Sequence, residues 1–190
     1  MRFSEIYQKL DEEVAILQSY IKFNIWTDGK SDFFDVPKSA KLPDSHQTLG
    51  EFMQIPNNQS GIYVFVCIEE TTIASVDNFN NGKSYAQVRQ TDDTTVNILA
   101  GEVLYVGECS IFSNRLSAHL DTEDSSSTYG LHLYSTNRIA IKPENFKLLL
   151  FPLKDSFYPT TLKEKDPAKK QLREMIETKL KAIFTPWIGK

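Results

Sequence analysis

Two short stretches decide the fold, GIYVFVCI at residues 61–68 and VLYVG at residues 103–107. Both are runs of β-branched and aromatic residues too short for an ordinary helix, which is typical of buried strands. A third run, FKLLLFPL at residues 146–153, has the same character. Its Pro152 predicts that the end of this strand lies at a sheet edge, because proline cannot donate to a strand ladder. The sequence therefore predicts a central sheet of three strands.

Helical patterns flank these strands. Residues 3–22 carry apolar side chains at spacings of three and four, and so do residues 111–120, which follow the helix-capping residue Ser110. A last helix is predicted over residues 167–184, with Pro167 in its first turn. The order of elements predicts an α/β (α+β) fold, a small and mostly antiparallel sheet flanked by helices. The predicted buried face of the last helix consists of Leu172, Ile176, Leu180, Ile183 and Phe184.

The length is that of one globular domain with an extension. The chain has 190 residues, of which 41% are hydrophobic and 24% charged, and this leaves little room for two cores. We assign residues 1–60 to an N-terminal helix and an irregular extension, and residues 61–190 to the main domain. Within that domain, residues 69–102 form an insertion, in which the turn signal of Asn81 and Gly82 indicates an extra hairpin.

The sequence favours a cytoplasmic protein. No run of ~18 apolar residues is present, and the acidic N-terminus lacks the apolar segment of a secretory signal. Cys67 and Cys109 make neither a CxxC pair nor a disulfide framework, so we expect two reduced thiols.

Charge is unevenly distributed along the chain. The net charge is -4, yet residues 129–190 carry 12 basic and 6 acidic side chains, a sum of +6. A basic segment of this kind is suited to face phosphates, although a solvated lysine face on the last helix explains it equally well. The candidate phosphate contacts are Lys142, Lys147, Lys169, Lys170 and Arg173.

Several familiar hydrolase and nucleotide-binding motifs are absent from the sequence. There is no Walker A loop, no GxGxxG, no HExxH and no GxSxG. What the chain offers instead is a tyrosine in each of the first two strands, Arg115 and His119 one turn apart on a helix, and Glu177 beside the apolar stripe of the last helix.

These features together resemble the GIY-YIG endonuclease family. Residues 61–63 (GIY) and 105–107 (YVG) look like its two strand motifs, and Arg115 follows the second motif by eight residues. His119 lies four residues further on, and Glu177 precedes Pro186 by nine, similar to the family's closing helix with its metal-binding glutamate. The resemblance covers residues 61–68, 103–120, 146–153 and 170–188.

The resemblance implies a divalent-metal-dependent endonuclease that hydrolyses phosphodiester bonds in DNA, acting in restriction, defence or repair. The implied catalytic residues are Tyr63, Tyr105, Arg115, His119 and Glu177, with Glu177 as the ligand of Mg²⁺ or Mn²⁺. A carboxylate oxygen suits Mg²⁺, and an arginine fork suits phosphate. A tyrosine that deprotonates water needs a nearby cation to lower its pKa from ~10. DNA is the expected partner, no membrane is expected, and symmetric cleavage of both strands would favour a homodimer.

The chain departs from the family pattern in three places, of which the first indicates a family-specific insertion, while the other two, with the acidic balance of the chain, favour an alternative. The link between the motifs spans 34 residues (69–102) instead of a short turn, Glu108 places an acid after the second motif, and Gly189 replaces a common asparagine. Taken singly, the five candidate side chains are also explained as core tyrosines or as charged groups on helix surfaces. The alternative is therefore a catalytically inactive module of this fold that binds nucleic acid or a protein partner, or a subunit of a larger complex that docks through the N-terminal helix.

Overall fold

The structure is a computed structural model and describes residues 34–35, 38–44, 59–73, 96–120, 131, 133–134, 142–155, 158 and 167–188. The predicted N-terminal helix over residues 3–22, the turn at Asn81 and Gly82, and Gly189 lie outside the described residues.

A four-stranded antiparallel sheet forms the centre of the described chain. Its strands occur in the spatial order β1-β6-β2-β5, and a second sheet pairs β3 with β4. A short 3₁₀ helix, Pro143–Asn145, leads into β6. The strands are β1 (Lys38–Lys41), β2 (Gly61–Cys67), β3 (Thr71–Ile73), β4 (Val96–Ile98), β5 (Val103–Cys109) and β6 (Phe146–Pro152).

The expectation of three strands is wrong, because part of the extension joins the sheet. Strand β1, KSAK, pairs with β6, although its side chains are mostly exposed and show no apolar alternation. Edge strands often carry lysines, which prevent pairing with other chains. A strand of this composition lacks the apolar residues from which strands are predicted. The edge position expected from Pro152 is wrong as well, since β6 lies between β1 and β2. At this end the Pro152 carbonyl accepts a hydrogen bond from the Asp35 backbone N–H at 2.8 Å.

Helices cover both faces of the sheet. Helix α1 (Phe112–Leu120) packs on one face, and helix α2 (Pro167–Phe184) packs on the other. Alternation along the strands separates the two cores, since successive strand residues point to opposite faces. The α1 face receives Tyr63 and Phe65, and the α2 face receives Ile62, Val64 and Val66. Both helices agree with the sequence prediction to within one residue.

An irregularity in β5 changes the direction of Leu104, the residue before its tyrosine. Phe65 pairs with Tyr105, whereas Val66 pairs with Val103, so Leu104 is an extra residue in the ladder. A bulge of this kind re-aims the side chains around it. Leu104 and Tyr105 therefore both join the α1-side core, next to Tyr63.

The segment after α2 is hydrogen-bonded to β5 and holds the end of the helix beside this strand. The backbone N–H of Trp187 donates to the Val103 carbonyl at 3.0 Å, and that of Ile188 donates to the Leu104 carbonyl at 2.8 Å. These bonds make Ile188 a parallel bridge partner of Tyr105. As a result, side chains on one side of α2 lie beside the outer edge of β5.

Only the base of the insertion is described. Its ends form the antiparallel pair β3–β4, with Thr71 opposite Ile98, as expected for a hairpin between the first two motifs. Neither described helix has the length and apolar character needed to cross a membrane.

Candidate active site

Tyr63 lies at the centre of the site and depends on a glycine opposite it. Tyr63 and Gly107 are paired residues of β2 and β5. A β-carbon at position 107 would lie 2.2 Å from the Tyr63 hydroxyl oxygen and 2.8 Å from a ring carbon of Tyr105. Any side chain here would therefore collide with both tyrosines. Packing alone therefore requires glycine at position 107, whether or not the chain is related to the GIY-YIG family.

The glycine of the first motif has a similar reason. A β-carbon at Gly61 would lie 2.4 Å from the Phe112 ring and 2.4 Å from the Phe151 carbonyl oxygen. Gly61 thus allows the start of α1 to pack directly against β2, which brings the polar side of α1 over the tyrosines.

His119 holds the Tyr63 hydroxyl from helix α1. Its Nε2 lies 2.7 Å from the Tyr63 oxygen, and its Nδ1 accepts the backbone N–H of Leu131 at 3.0 Å. Because Nδ1 is an acceptor, the proton of the neutral ring is on Nε2. His119 therefore donates to Tyr63, and both side chains are fully buried, with 0% exposure.

Arg115 provides a second donor to the same oxygen. Its Nε–H donates to the Tyr63 hydroxyl at 3.2 Å, and its guanidinium also hydrogen-bonds Tyr105. Burial opposes the charge of Arg115, but the two tyrosine hydroxyls leave its pKa above the ordinary value. The Tyr63 oxygen thus accepts from a histidine and from an arginine, which uses both of its lone pairs and directs its own hydrogen elsewhere.

The pKa of the Tyr63 hydroxyl stays above its ordinary value in spite of these two donors. Burial raises the pKa of Tyr63 well above 10, and Tyr105 adds to the increase, while Arg115 lowers it. Desolvation disfavours the phenolate more than one arginine favours it. The Tyr63 hydroxyl therefore keeps its proton at neutral pH. A tyrosine that deprotonates water needs a nearby cation to lower its pKa; Arg115 has this effect on Tyr63, but burial raises the pKa by more than Arg115 lowers it.

Tyr105 completes an aromatic group around His119. Its ring stacks on Tyr63 with centroids 6.0 Å apart and an interplanar angle of 25°, and it lies 5.0 Å from the His119 ring. Offset stacking at this distance is a favourable arrangement of aromatic rings. Tyr63, Tyr105, Arg115 and His119 are therefore one contiguous cluster, drawn from two strands and one helix.

Glu177 reaches the same edge of the sheet from helix α2. Its carboxylate Oε1 lies 2.6 Å from the Nζ of Lys181, and the two side chains are 17% and 15% exposed. The Lys181 Nζ lies over the Tyr105 ring, 5.8 Å from its centroid, and this links the pair to the tyrosine cluster. Helix α2 packs on the face of the sheet opposite Tyr63. Because Lys181 contacts both Glu177 and Tyr105, Glu177 nevertheless lies near the outer strand β5.

The electrostatic surroundings of Glu177 include residues from both faces. Burial raises the pKa of its carboxyl above the ordinary value; Lys181 lowers it, Glu108 raises it and Arg115 lowers it. The Glu177 carboxylate is therefore within electrostatic range of Arg115 in the cluster, while Lys181 is its direct partner. The described side chains contain no group of three or more His, Cys, Asp or Glu residues arranged around a metal position.

Glu108, the acid after the second motif, is neutralised on the α2 face. The Arg173 Nε donates to its carboxylate at 2.6 Å, and Arg173 Nη1 donates to the Tyr158 hydroxyl at 3.2 Å. Tyr158 in turn shares a hydrogen bond of 2.9 Å with Ser60. The sequence reading missed this network, since no local spacing connects its members. Burial of Arg173, at 7% exposure, also removes it from the exposed lysine face.

The other predicted phosphate contacts do not form a single patch. Lys169 lies over the Tyr158 ring at 4.8 Å, and Lys170 pairs with Glu174 at 3.3 Å, near the end of the sheet that holds Ser60. Lys147 is the second residue of β6, at the opposite end of the strand, five residues from Pro152 and therefore ~17 Å away. Lys142 precedes the 3₁₀ helix at that far end and is exposed. Lys169 and Lys170 are thus separated from Lys142 and Lys147.

Comparison with known proteins adds no relative: no protein-family model, no curated protein and no solved structure matches this chain.

Proposed function

We propose that this chain is a divalent-metal-dependent endonuclease of the GIY-YIG type that hydrolyses phosphodiester bonds in DNA. The observation that carries the proposal is the cluster of Tyr63, Tyr105, Arg115 and His119, with Glu177 at its β5 edge. These residues come from distant parts of the chain, and chemistry at a single phosphate requires such convergence. Action in restriction, defence or repair, and a homodimeric state, are part of the same proposal.

Arg115 is the phosphate contact in this proposal. Its Nε donates to Tyr63, its guanidinium also hydrogen-bonds Tyr105, and Arg115 as a whole is half-buried. A guanidinium held in place by two tyrosines is already oriented, so it loses little freedom on binding a phosphate. His119 and Tyr63 are its support: His119 fixes the Tyr63 hydroxyl, and that hydroxyl fixes Arg115.

The residues at the β5 edge fit a divalent cation of the Mg²⁺ type. Glu177 is a partly buried carboxylate whose charge is disfavoured by burial and by Glu108, so an added cation would relieve it. Mg²⁺ retains several waters and needs only one or two carboxylates together with substrate phosphates. Glu177 would hold the cation, and the chemistry supplied there is neutralisation of charge at the phosphate.

Two observations favour the alternative of an inactive binding module. Tyr63 and His119 are fully buried, so their polar atoms do not reach solvent, and Lys181 already neutralises Glu177. A protein that kept this fold without its chemistry would retain such a cluster as a satisfied polar core. In that case the half-buried Lys169 and the exposed Lys170 would serve binding alone.

A cleavage assay separates the two functions. Supercoiled plasmid and a single-stranded RNA of matched length are incubated with the wild-type chain in Mg²⁺, in Mn²⁺ and in EDTA. The endonuclease proposal expects nicked and linear plasmid with either metal and intact plasmid in EDTA. DNA binding without cleavage in any metal supports the binding module, and cleavage of the RNA alone would overturn DNA as the substrate.

A further inference from the structure

Lys181 contacts two parts of the candidate site at once. Its ammonium Nζ lies 2.6 Å from Glu177 Oε1 and 5.8 Å from the centre of the Tyr105 ring. The pair is spaced i,i+4 with the glutamate on the N-terminal side, which is the favourable orientation in a helix. Only 15% of the Lys181 side chain is exposed, so the ammonium is held in the site and not on the solvated face of α2.

The position of this ammonium overlaps with that of a cation bound to Glu177. An Mg²⁺ ligand oxygen lies about 2.0–2.1 Å from the metal, and the two oxygens of one carboxylate are close neighbours. A divalent ion on either oxygen would therefore lie within a few ångströms of the Lys181 charge. At such separations in a partly desolvated site, the repulsion between the divalent ion and the Lys181 ammonium is larger than the stabilisation that one partly exposed ion pair provides.

We propose that Lys181 is the resident counter-ion of Glu177, and that a divalent cation binds this carboxylate by displacing it. The inference rests on the proposed function, because it assumes Glu177 as the metal ligand, and it adds a residue that the family resemblance does not assign. Lysine suits the task, since its ammonium is a single point charge on a flexible four-carbon stem. Displacement moves the ammonium away from the carboxylate, while its stem stays on α2 beside Tyr105.

A displaced counter-ion and an ordinary structural ion pair differ in what removal of Lys181 does to metal binding. A structural ion pair would persist with the metal bound, and its removal would lower stability without tightening metal binding. A displaced counter-ion competes with the metal, so its removal tightens metal binding. Metal affinity in the absence of DNA is therefore the deciding quantity, and it does not depend on cleavage.

The experiment is a titration of the DNA-free chain with Mn²⁺, in which free Mn²⁺ is followed by its electron paramagnetic resonance signal. Four chains are compared: wild type, Lys181→Met, Lys179→Met and Glu177→Gln. Lys179 is the matched control, because it is exposed on the same helix and lies among Gln171, Glu174, Met175 and Thr178. Thermal unfolding of each chain verifies that it is folded.

The expected result is Mn²⁺ binding on the order of fivefold tighter in Lys181→Met, the equivalent of one partly exposed ion pair. Lys179→Met should bind as wild type does, and Glu177→Gln should lose the site. Equal affinity in wild type and Lys181→Met, with loss in Glu177→Gln, would overturn the inference and leave Glu177 as the ligand. Absence of binding in both wild type and Lys181→Met would overturn it too, and the plasmid assay then decides the proposed function separately.

A second variant keeps the test decisive if Lys181→Met fails to fold. Lys181→Arg retains the positive charge and offers a stronger, forked pairing with the Glu177 carboxylate. The inference expects Mn²⁺ binding no tighter than in wild type. Tighter binding by this variant would contradict competition between the two cations.

Discussion

Tyr63 and Gly107 face each other across β2 and β5 so closely that a β-carbon on Gly107 would lie 2.2 Å from the Tyr63 hydroxyl oxygen. That oxygen is also held by His119 at 2.7 Å and by Arg115 at 3.2 Å, so it has little freedom to move aside. The packing around the site therefore depends on the glycine at position 107.

Gly107→Ala tests this packing. We expect a loss of about 1–3 kcal/mol in the free energy of unfolding, because an inserted methyl group in a filled core forces its neighbours out of place. Urea denaturation measures the loss. Asn114→Ala, an exposed change on α1, is the control and should stay within about 0.5 kcal/mol of wild type. A Gly107→Ala chain as stable as this control would mean that the Tyr63 hydroxyl is free to shift.

Tyr63→Phe tests the hydrogen-bonded cluster. Removing the hydroxyl leaves the His119 Nε2–H without its buried acceptor and Arg115 without one of its partners. An unsatisfied buried donor costs about 1–3 kcal/mol, so the unfolding free energy should fall by that amount. Long-range ¹⁵N–¹H spectra of wild type should show His119 with its proton on Nε2 and none on Nδ1. A protonated Nδ1 would contradict the contact with the Leu131 N–H.

Much of this fold was readable from the sequence, and the exceptions have physical causes. Strands β2, β5 and β6 were predicted because burial on both faces makes each a continuous apolar run, and helices α1 and α2 because burial of one face gives each an apolar period. Strand β1 was missed because its residues, KSAK, are mostly exposed and bury no face. Apolar spacing alone thus detects the buried centre of a sheet better than its outer strand.

The candidate site was readable in part for similar reasons. Its five residues were found through motif spacing, whereas the contact between Leu131 and His119 depends on how a later segment folds back. The pairing of Arg173 with Glu108 spans 65 residues and leaves no local signal. Lys181 was within reach, since it follows Glu177 by four residues on a predicted helix.

Alkaline pH should weaken the fold through its two buried thiols. Burial raises the pKa of Cys109 to about 12, with Glu108 adding to the effect, and burial raises that of Cys67 to about 11. Both folded values exceed the unfolded value of 9.0. The unfolded chain therefore loses protons that the folded chain keeps, and stability falls as pH rises from about 9 to 11.

The size of this effect can be measured by denaturation. Each thiol should lower the unfolding free energy by about 1 kcal/mol at pH 10, since one pH unit above the unfolded pKa corresponds to ~1.4 kcal/mol. Urea midpoints at pH 8 and pH 10 are compared for wild type and Cys109→Ala. The variant should lose less stability over this interval. An equal loss in both chains would mean that Cys109 ionises as readily folded as unfolded.

DNA affinity should depend on the lysines of the first turn of α2. Changing Lys169 and Lys170 together to Gln should weaken binding, and the slope of log K against log[salt] should become shallower by about 2, since each phosphate contact contributes ~0.9. Lys142→Gln, at the other end of β6, should change the slope by less than this pair. Fluorescence anisotropy with a labelled duplex at several salt concentrations measures both. A double variant with the wild-type slope would direct the search to another surface.

Plasmid nicking by Glu177→Gln in Mg²⁺ is the most direct test of Glu177 as the metal ligand of the proposed nuclease. Glu174→Gln, an exposed acid on the same helix, is the control. We expect Glu177→Gln to lose cleavage at least about a hundredfold while it stays folded and binds DNA, and Glu174→Gln to cut as wild type does. Cleavage by Glu177→Gln at the wild-type rate would contradict the role of Glu177 as the metal ligand.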